Sequence, residues 1–278
     1  MGRRQKNKYI INKTRSYTQY FNLLKNIAIS SIEWKNLPPS VDGRYIETQL
    51  FYNGNVVYFN DDILNENLCL DVIANGNFNV YGEPIRRTAY SKYNQYQYDL
   101  CDRNSVIIWE NLNRTSCCVD IQTFANRLAF LDSITDINVN AQKTPVALIA
   151  SEKQRMTMLN LYKRYDGGEP FIFGDDSLDL SDVKAIVTGA PYIADKIYEL
   201  KCNIWNEALT YLGIPNLNVT KKERLITDEV IRYQGGTIAC RYSRLSARQQ
   251  AVDKINAMFD TDIVVDIRNE FKAVNQDE

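Results

Sequence analysis

Between Arg15 and Glu33 the apolar residues Tyr17, Tyr20, Phe21, Leu24, Ile27, Ala28 and Ile32 recur at steps of three and four, which predicts an amphipathic helix. Pro38 and Pro39 then force an extended break, and Asp42 is placed to cap a short helix from Arg44 to Phe51. The period changes to that of strands at Val56 to Phe59, Leu68 to Ala74, Phe78 to Tyr81, Tyr90 to Tyr98 and Val106 to Trp109. Asn75-Gly76 reads as the hairpin turn between the second and third of these, because both residue types tolerate positive φ. The run YSKYNQYQYDL alternates tyrosine with polar residues; a half-buried strand with its tyrosines on one face is favoured over an aromatic ladder that stacks on bases.

Helical spacing returns from Asp120 to Ile137, where Ile121, Phe124, Ala125, Leu128, Leu131 and Ile134 share a face. An insert follows: strand Val146 to Ala150, helix Gln154 to Tyr165, a Gly167-Gly168 turn, strand Pro170 to Phe173, an acidic loop, and strand Val183 to Thr188. Ala190-Pro191 opens a helix from Tyr192 to Leu212, stopped by Gly213 and Pro215. Two long helices thus flank a small α/β module, like a tip on a stalk. The charged segment after Lys221, interrupted at Gly235-Gly236, predicts a loop between two helical pieces. A last helix, Ser246 to Phe259, with Ala247, Ala251, Ile255 and Phe259 at steps of four, leads into a closing strand, Asp262 to Ile267, and the fold class is α+β.

Composition narrows the chemistry. At 278 residues, 45% hydrophobic and 24% charged, the chain suits one large globular domain or two small ones. No window approaches the ~18 to 20 continuous apolar residues of a membrane span, and no apolar stretch follows the first charges, so a protein made and used inside a cell is expected. The six cysteines show no C-x-x-C spacing, which favours reduced thiols over a disulfide framework or zinc ribbon. Histidine is absent, which excludes Ser-His-Asp and Cys-His couples and the H-E-x-x-H zinc helix. Phosphate-loop and G-x-G-x-x-G fingerprints are also absent, so no catalytic residue, cofactor or metal is expected and the chain does not read as an enzyme. The acidic loop with Asp175, Asp176, Asp179 and Asp182 lacks the spacing and central glycine of a calcium loop, and a solvated loop is favoured. The carboxylates Asp175 and Glu169 are the best pair for a carboxylate-based hydrolase, the weaker enzyme alternative.

Charge is distributed unevenly. The first 32 residues hold seven cations (Arg3, Arg4, Lys6, Lys8, Lys13, Arg15 and Lys25) and no acid, against 33 basic and 34 acidic residues overall. An arm of +7 on a body of −8 reads either as a tether for nucleic acid, through displacement of condensed counterions, or as a solvated terminus.

Five segments resemble the upper collar, or head–tail connector, proteins that serve as portals in the smallest short-tailed bacteriophages. They are EWKNLPPS at 33–40, NVNAQKTPVALIA at 138–150, APYIADK at 190–196, WNEALTYLGIPN at 205–216 and KKERLITDEV at 221–230. The resemblance covers most of the chain and is strongest over 136–230. It implies a portal subunit with long stem helices, a β-rich wing and a small α/β clip, assembled as a ring of about twelve copies at one capsid vertex around a channel for double-stranded DNA. On that scheme residues 1–14 are a basic flexible arm, 15–119 the wing, 120–145 and 191–215 stem helices, 146–190 the clip, 216–245 the channel loops and 246–278 a C-terminal helix and strand. Lys196 matches a lysine of the family's motif and is the first candidate for a cationic ring in the lumen, followed by Lys184, Arg232, Arg241 and Arg244; the alternative for Lys196 is a stem ion pair with Glu199 or a neighbouring subunit. A second family lysine position is Val187 here.

The resemblance further implies a virion location after assembly in the host cytoplasm. The implied partners are other copies of the chain, double-stranded DNA, the major capsid protein, a scaffolding protein, a packaging ATPase and the lower collar and tail. Only some members use a packaging RNA, so the arm's electrostatic role is carried over without it. The remaining alternative is a monomeric nucleic-acid-binding protein that uses the arm and the tyrosine-rich segment.

Overall fold

The computed structural model describes residues 3–142, 146–148, 183–185, 191–216 and 227–271, with side chains over 14–139, 191–216, 235–269 and 271. It divides into two compact units, residues 1–130 with 199–278, and residues 131–198.

The first unit opens with helix α1 (Arg3–Ser30), which buries Leu24 and Ala28 on the face the spacing marks out. The helix begins within the segment expected as a flexible arm and ends at Ser30, because Ile32–Lys35 is not helical but forms strand β1. Helix α2 (Gly43–Asn53) starts where expected: the Asp42 carboxylate accepts from the Arg44 N–H at 2.8 Å. It ends at Gly54, whose φ of 81° and position 2.7 Å from the Ser116 nitrogen, measured from an added Cβ, leave no room for a side chain.

Strands β2 (Asn55–Asp61), β3 (Glu66–Ala74), β4 (Arg86–Tyr90), β5 (Gln97–Cys101) and β6 (Ser105–Trp109) form one antiparallel sheet in the order β5-β4-β3-β2-β6. This order forces the sheet to roll. Its edge strands β5 and β6 are joined by residues 102–104 alone, yet in a flat sheet they would lie about 19 Å apart, beyond the ~14 Å reach of that connection. The rings of Phe59 on β2 and Tyr98 on β5 stack at 5.5 Å although two strands intervene, as expected for a curled, barrel-like sheet. Val57, Phe59, Ala89 and Leu100 fill its inside; Val56, Tyr58, Val106 and Ile108 face outward onto the main core.

One of the expected strands is a turn and another is interrupted by one. Phe78 to Tyr81 form the tip of the β3–β4 connection, where the Asn79 side chain accepts from the Tyr81 and Glu83 N–H groups at 2.9 Å each. Gly76 does take positive φ (83°), but within this longer connection rather than a two-residue hairpin. The tyrosine-rich run splits between the end of β4 and the start of β5, with Ser91 to Tyr96 as a turn: local side-chain-to-backbone bonds from Ser91 and Asn94 compete successfully with the ladder. Tyr96 and Tyr98 turn inward, the former donating to Asp61.

Helix α3 (Cys118–Gln142) contains the predicted stripe, with Ile121, Ala125, Leu128 and Leu131 buried. Strands β7 (Val146–Leu148) and β8 (Val183–Ala185) pair antiparallel, and the expected helix, central strand and acidic loop between them, with Asp175 and Glu169, lie outside the described residues. Helix α4 (Ala194–Tyr211) and helix α5 (Thr227–Phe259) follow, then β9 (Val264–Ile267), which pairs antiparallel with β1.

The predicted break at Gly235-Gly236 is a correction: α5 runs through both as one 33-residue helix. Each glycine costs about 1 kcal/mol against alanine, less than is gained by burying Thr237, Ala247, Ala251, Val252 and Ile255 along the same helix.

Candidate functional site

The basic residues are set on helices. On α1 the spacing i, i+4, i+11 places Arg4, Lys8 and Arg15 on one face, and i, i+7 places Lys6 and Lys13 on another, with Arg3 between the two rows. Arg15 is exposed; the side chains of Arg3, Arg4, Lys6, Lys8 and Lys13 lie outside the described residues. The other end of this helix is fixed: Phe21 meets Phe51 of α2 at 6.0 Å, and Ser31 and Ala28 join the buried network below. Having no acid before Glu33, the first turns of α1 put positive charge where the helix dipole disfavours it.

Lys196 lies in the first turn of α4, exposed, and no ion pair joins it to an acid among the described residues, Glu199 included. Its position is set by two of the recognised segments touching. The buried amide of Asn138 on α3 donates to the Pro191 carbonyl at 2.9 Å and accepts from the Ile193 N–H at 3.0 Å, fixing the entry of APYIADK into the helix. Lys184 is on β8 with its side chain outside the described residues, as is Val187 altogether. Arg232 lies on α5, and its side chain too is outside them.

Arg241 and Arg244 require correction, because both are on α5 rather than a loop and both are engaged in packing. Arg241 is half-buried and donates from Nε to the Gly213 carbonyl at 2.8 Å and from Nη2 to the Phe271 carbonyl at 3.3 Å. It lies against the α4 C-terminus, where the Gly213 N–H bonds to Thr210 O and the Ile214 N–H to Leu209 O, a left-handed glycine cap with φ of 75°.

Arg244 is buried with Arg248, Glu47 and Glu110 in a cluster of two cations and two anions. Arg248 binds both Glu47 oxygens at 2.8 Å and also pairs with Glu110; its Nη1 donates to the Glu110 and Arg244 carbonyls at 2.6 and 2.9 Å. Arg244 donates to Glu110 at 2.8 Å, Leu212 O at 2.9 Å and Ala28 O at 3.3 Å, and Trp34 Nε1 donates to Glu47 at 2.9 Å. Burial alone would raise the Glu110 pKa, but the two guanidinium groups outweigh it and hold the carboxyl below its ordinary value. The cluster fastens α1, α2, the end of β6, the end of α4 and α5 at one point.

Sequence reasoning missed the cluster, although a signal was present: Arg244 and Arg248 stand at i, i+4 on the row that continues into buried Val252. Among the described residues no group of three or more Cys, Asp or Glu side chains is placed to hold a metal ion, and no helix is long and apolar enough to cross a membrane.

Comparison with known proteins agrees with the recognised segments. The family model for Phage Connector (GP10) matches residues 1–272. A chain from a structure described as the portal and tail of native bacteriophage P68 superposes with a TM-score of 0.52 at 17% identity, covering 97% of this chain and 92% of that one. An HK97 family phage portal protein from Corynebacterium diphtheriae gives a TM-score of 0.46 at 10% identity, covering 91% of each chain. A match that runs over residues 1–272 of 278 places this chain in the phage connector family.

Proposed function

We propose that the protein is the subunit of a closed ring, of about twelve copies, that sits at one capsid vertex and forms a passive channel for double-stranded DNA during packaging and ejection. The observation that carries this reading is the family match over residues 1–272. The surface suits it. Val119, Phe130, Tyr198, Leu200 and Tyr242 on the long helices are large, apolar and 48 to 67% exposed, as expected of faces that meet neighbouring copies. The ring also docks the packaging ATPase and later the lower collar and tail, and contacts the major capsid and scaffolding proteins; ATP hydrolysis belongs to the separate motor, and the connector supplies no catalysis.

Within the channel Lys196 is the candidate for a ring of cations, one from each copy, that centres the polyanion without holding it. Many phosphate contacts would stall DNA by counterion release, whereas a single ring on an acidic wall lets it slide. Lys184 and Arg232 are the further candidates; Arg241, half-buried on two backbone carbonyls, and Arg244, buried beside Glu110, are weaker ones. The basic residues of α1 bind nucleic acid, and a phosphate backbone alongside its first turns would offset the charge the helix dipole disfavours.

The test is topological. Rings threaded on linear duplex DNA whose ends are then blocked should stay bound in high salt, while covalently closed circles, which offer no end, should be released. Equal retention on the two, or loss from both, contradicts the channel. Lys196→Glu should assemble normally and slow threading.

A further inference from the structure

A cavity of about 510 Å³ opens between the mouth of the curled sheet and α5, within the first unit. This volume falls in the range of small-ligand sites. Its lining is mixed: Trp109 and Leu112 on the sheet side and Ala251 and Met258 on α5 are apolar, while Arg87 and Asp102 are charged.

Arg87 is the unusual member. It belongs to β4, opposite Leu100 and two residues from Ala89, so it shares the inner, apolar face of the sheet. Its residue is only 6% exposed, and its buried Nε has no hydrogen-bond partner among the described residues. Burial lowers its pKa, and Asp102 and Glu83 only partly counter that. Neither acid comes within ion-pair distance: Glu83 is taken by Arg114 at 2.9 Å, and Arg114 in turn lies over the Trp109 ring at 5.1 Å. Lys254 lines the same cavity with no ion-pair partner among the described residues. Three cations thus face two acids in the lining, an excess of one positive charge.

A buried guanidinium with a free donor is costly unless a charged acceptor arrives, and the acceptor that matches its planar fork is a carboxylate. We propose that this cavity binds a carboxylate carried on an apolar stem, which pairs with Arg87 while the stem lies against Trp109 and Met258. A single negative charge neutralises the lining; a phosphate dianion would overcompensate it. The carboxylate comes either from a small free acid or from an aspartate or glutamate side chain of a second copy of this chain.

The probe is hexanoate, followed by ligand-observed NMR against the full-length protein, with 1-hexanol and inorganic phosphate as controls. Hexanoate should bind saturably and at least tenfold more tightly than either control, and Arg87→Gln should weaken it at least tenfold. Ala257→Trp, at an exposed position on the cavity lip, should do the same without touching the core, and keeps the test decisive if the Arg87 variant does not fold. Binding to the dissociated chain that is lost on assembly assigns the natural carboxylate to a neighbouring copy; binding that persists in the assembled protein assigns it to a free acid. Hexanol binding as well as hexanoate, affinity unchanged in both variants, or binding by neither form overturns the proposal.

Discussion

At the scale of single residues the strongest interactions lie inside the subunit. Arg248 is fully buried between two glutamates, so truncating it would leave the Glu47 carboxylate in the core without its cation and Glu110 with Arg244 alone. Arg248→Ala should cost about 3 to 5 kcal/mol, read as a lower denaturant midpoint, whereas an Asn26→Ala change on the exposed side of α1 should stay within about 0.5 kcal/mol. The sign of the acid response follows from Glu110. Its folded pKa lies below the ordinary 4.5, so its stabilising contribution is complete above that pH and disappears as pH falls further, through the depressed value. Thermal unfolding should therefore show a steep acid limb below pH 4.5, and Glu110→Gln should flatten that limb while lowering stability at neutral pH. Tyr58 tests the opposite case: its buried hydroxyl has no hydrogen-bond partner among the described residues, and burial pushes its pKa up to about 12. Tyr58→Phe removes an unsatisfied polar atom and should raise stability by about 1 kcal/mol in the same assay.

At the scale of elements, what the pattern revealed and what it hid divide by sequence separation. The stripes of α1, α3 and α5, the Asp42 cap and the Gly213 stop depend on neighbours within a turn or two, and all were readable from spacing. Strand β1 was not, because IEWK owes its strand to β9, more than 200 residues later. The rolled sheet was equally hidden: nothing local to Tyr98 announces that it will stack on Phe59. Arg241 and Arg244 read as exposed loop cations because two glycines suggested a break, while the partners that bury them come from α1, α4 and β6. Of the candidate site, Lys196 could be placed near the start of a long helix from its motif, but the Asn138 clamp behind it joins segments some 55 residues apart. Gly213 carries an element-scale prediction. A Cβ there would come within 2.6 Å of the Arg241 Cα, at a φ only glycine adopts freely, so Gly213→Ala should cost at least about 2 kcal/mol and loosen α4 against α5, seen as faster amide exchange at the α4 C-terminus.

At the scale of the whole molecule, an acidic body, a basic N-terminal helix and exposed apolar helix faces are the features the proposed ring would use. Deleting residues 2–15 should lower affinity for duplex DNA and flatten its salt dependence while leaving the ring intact, because Phe21, which meets Phe51 of α2, and buried Leu24 lie beyond the deletion. Unchanged binding across a salt titration would assign the arm to solubility alone. The most direct test of the central claim is the assembly state of the purified full-length chain, from native mass spectrometry with electron microscopy of the same sample. Closed rings of about twelve copies around an open channel are the predicted result; a monomer or dimer at every salt concentration would contradict it.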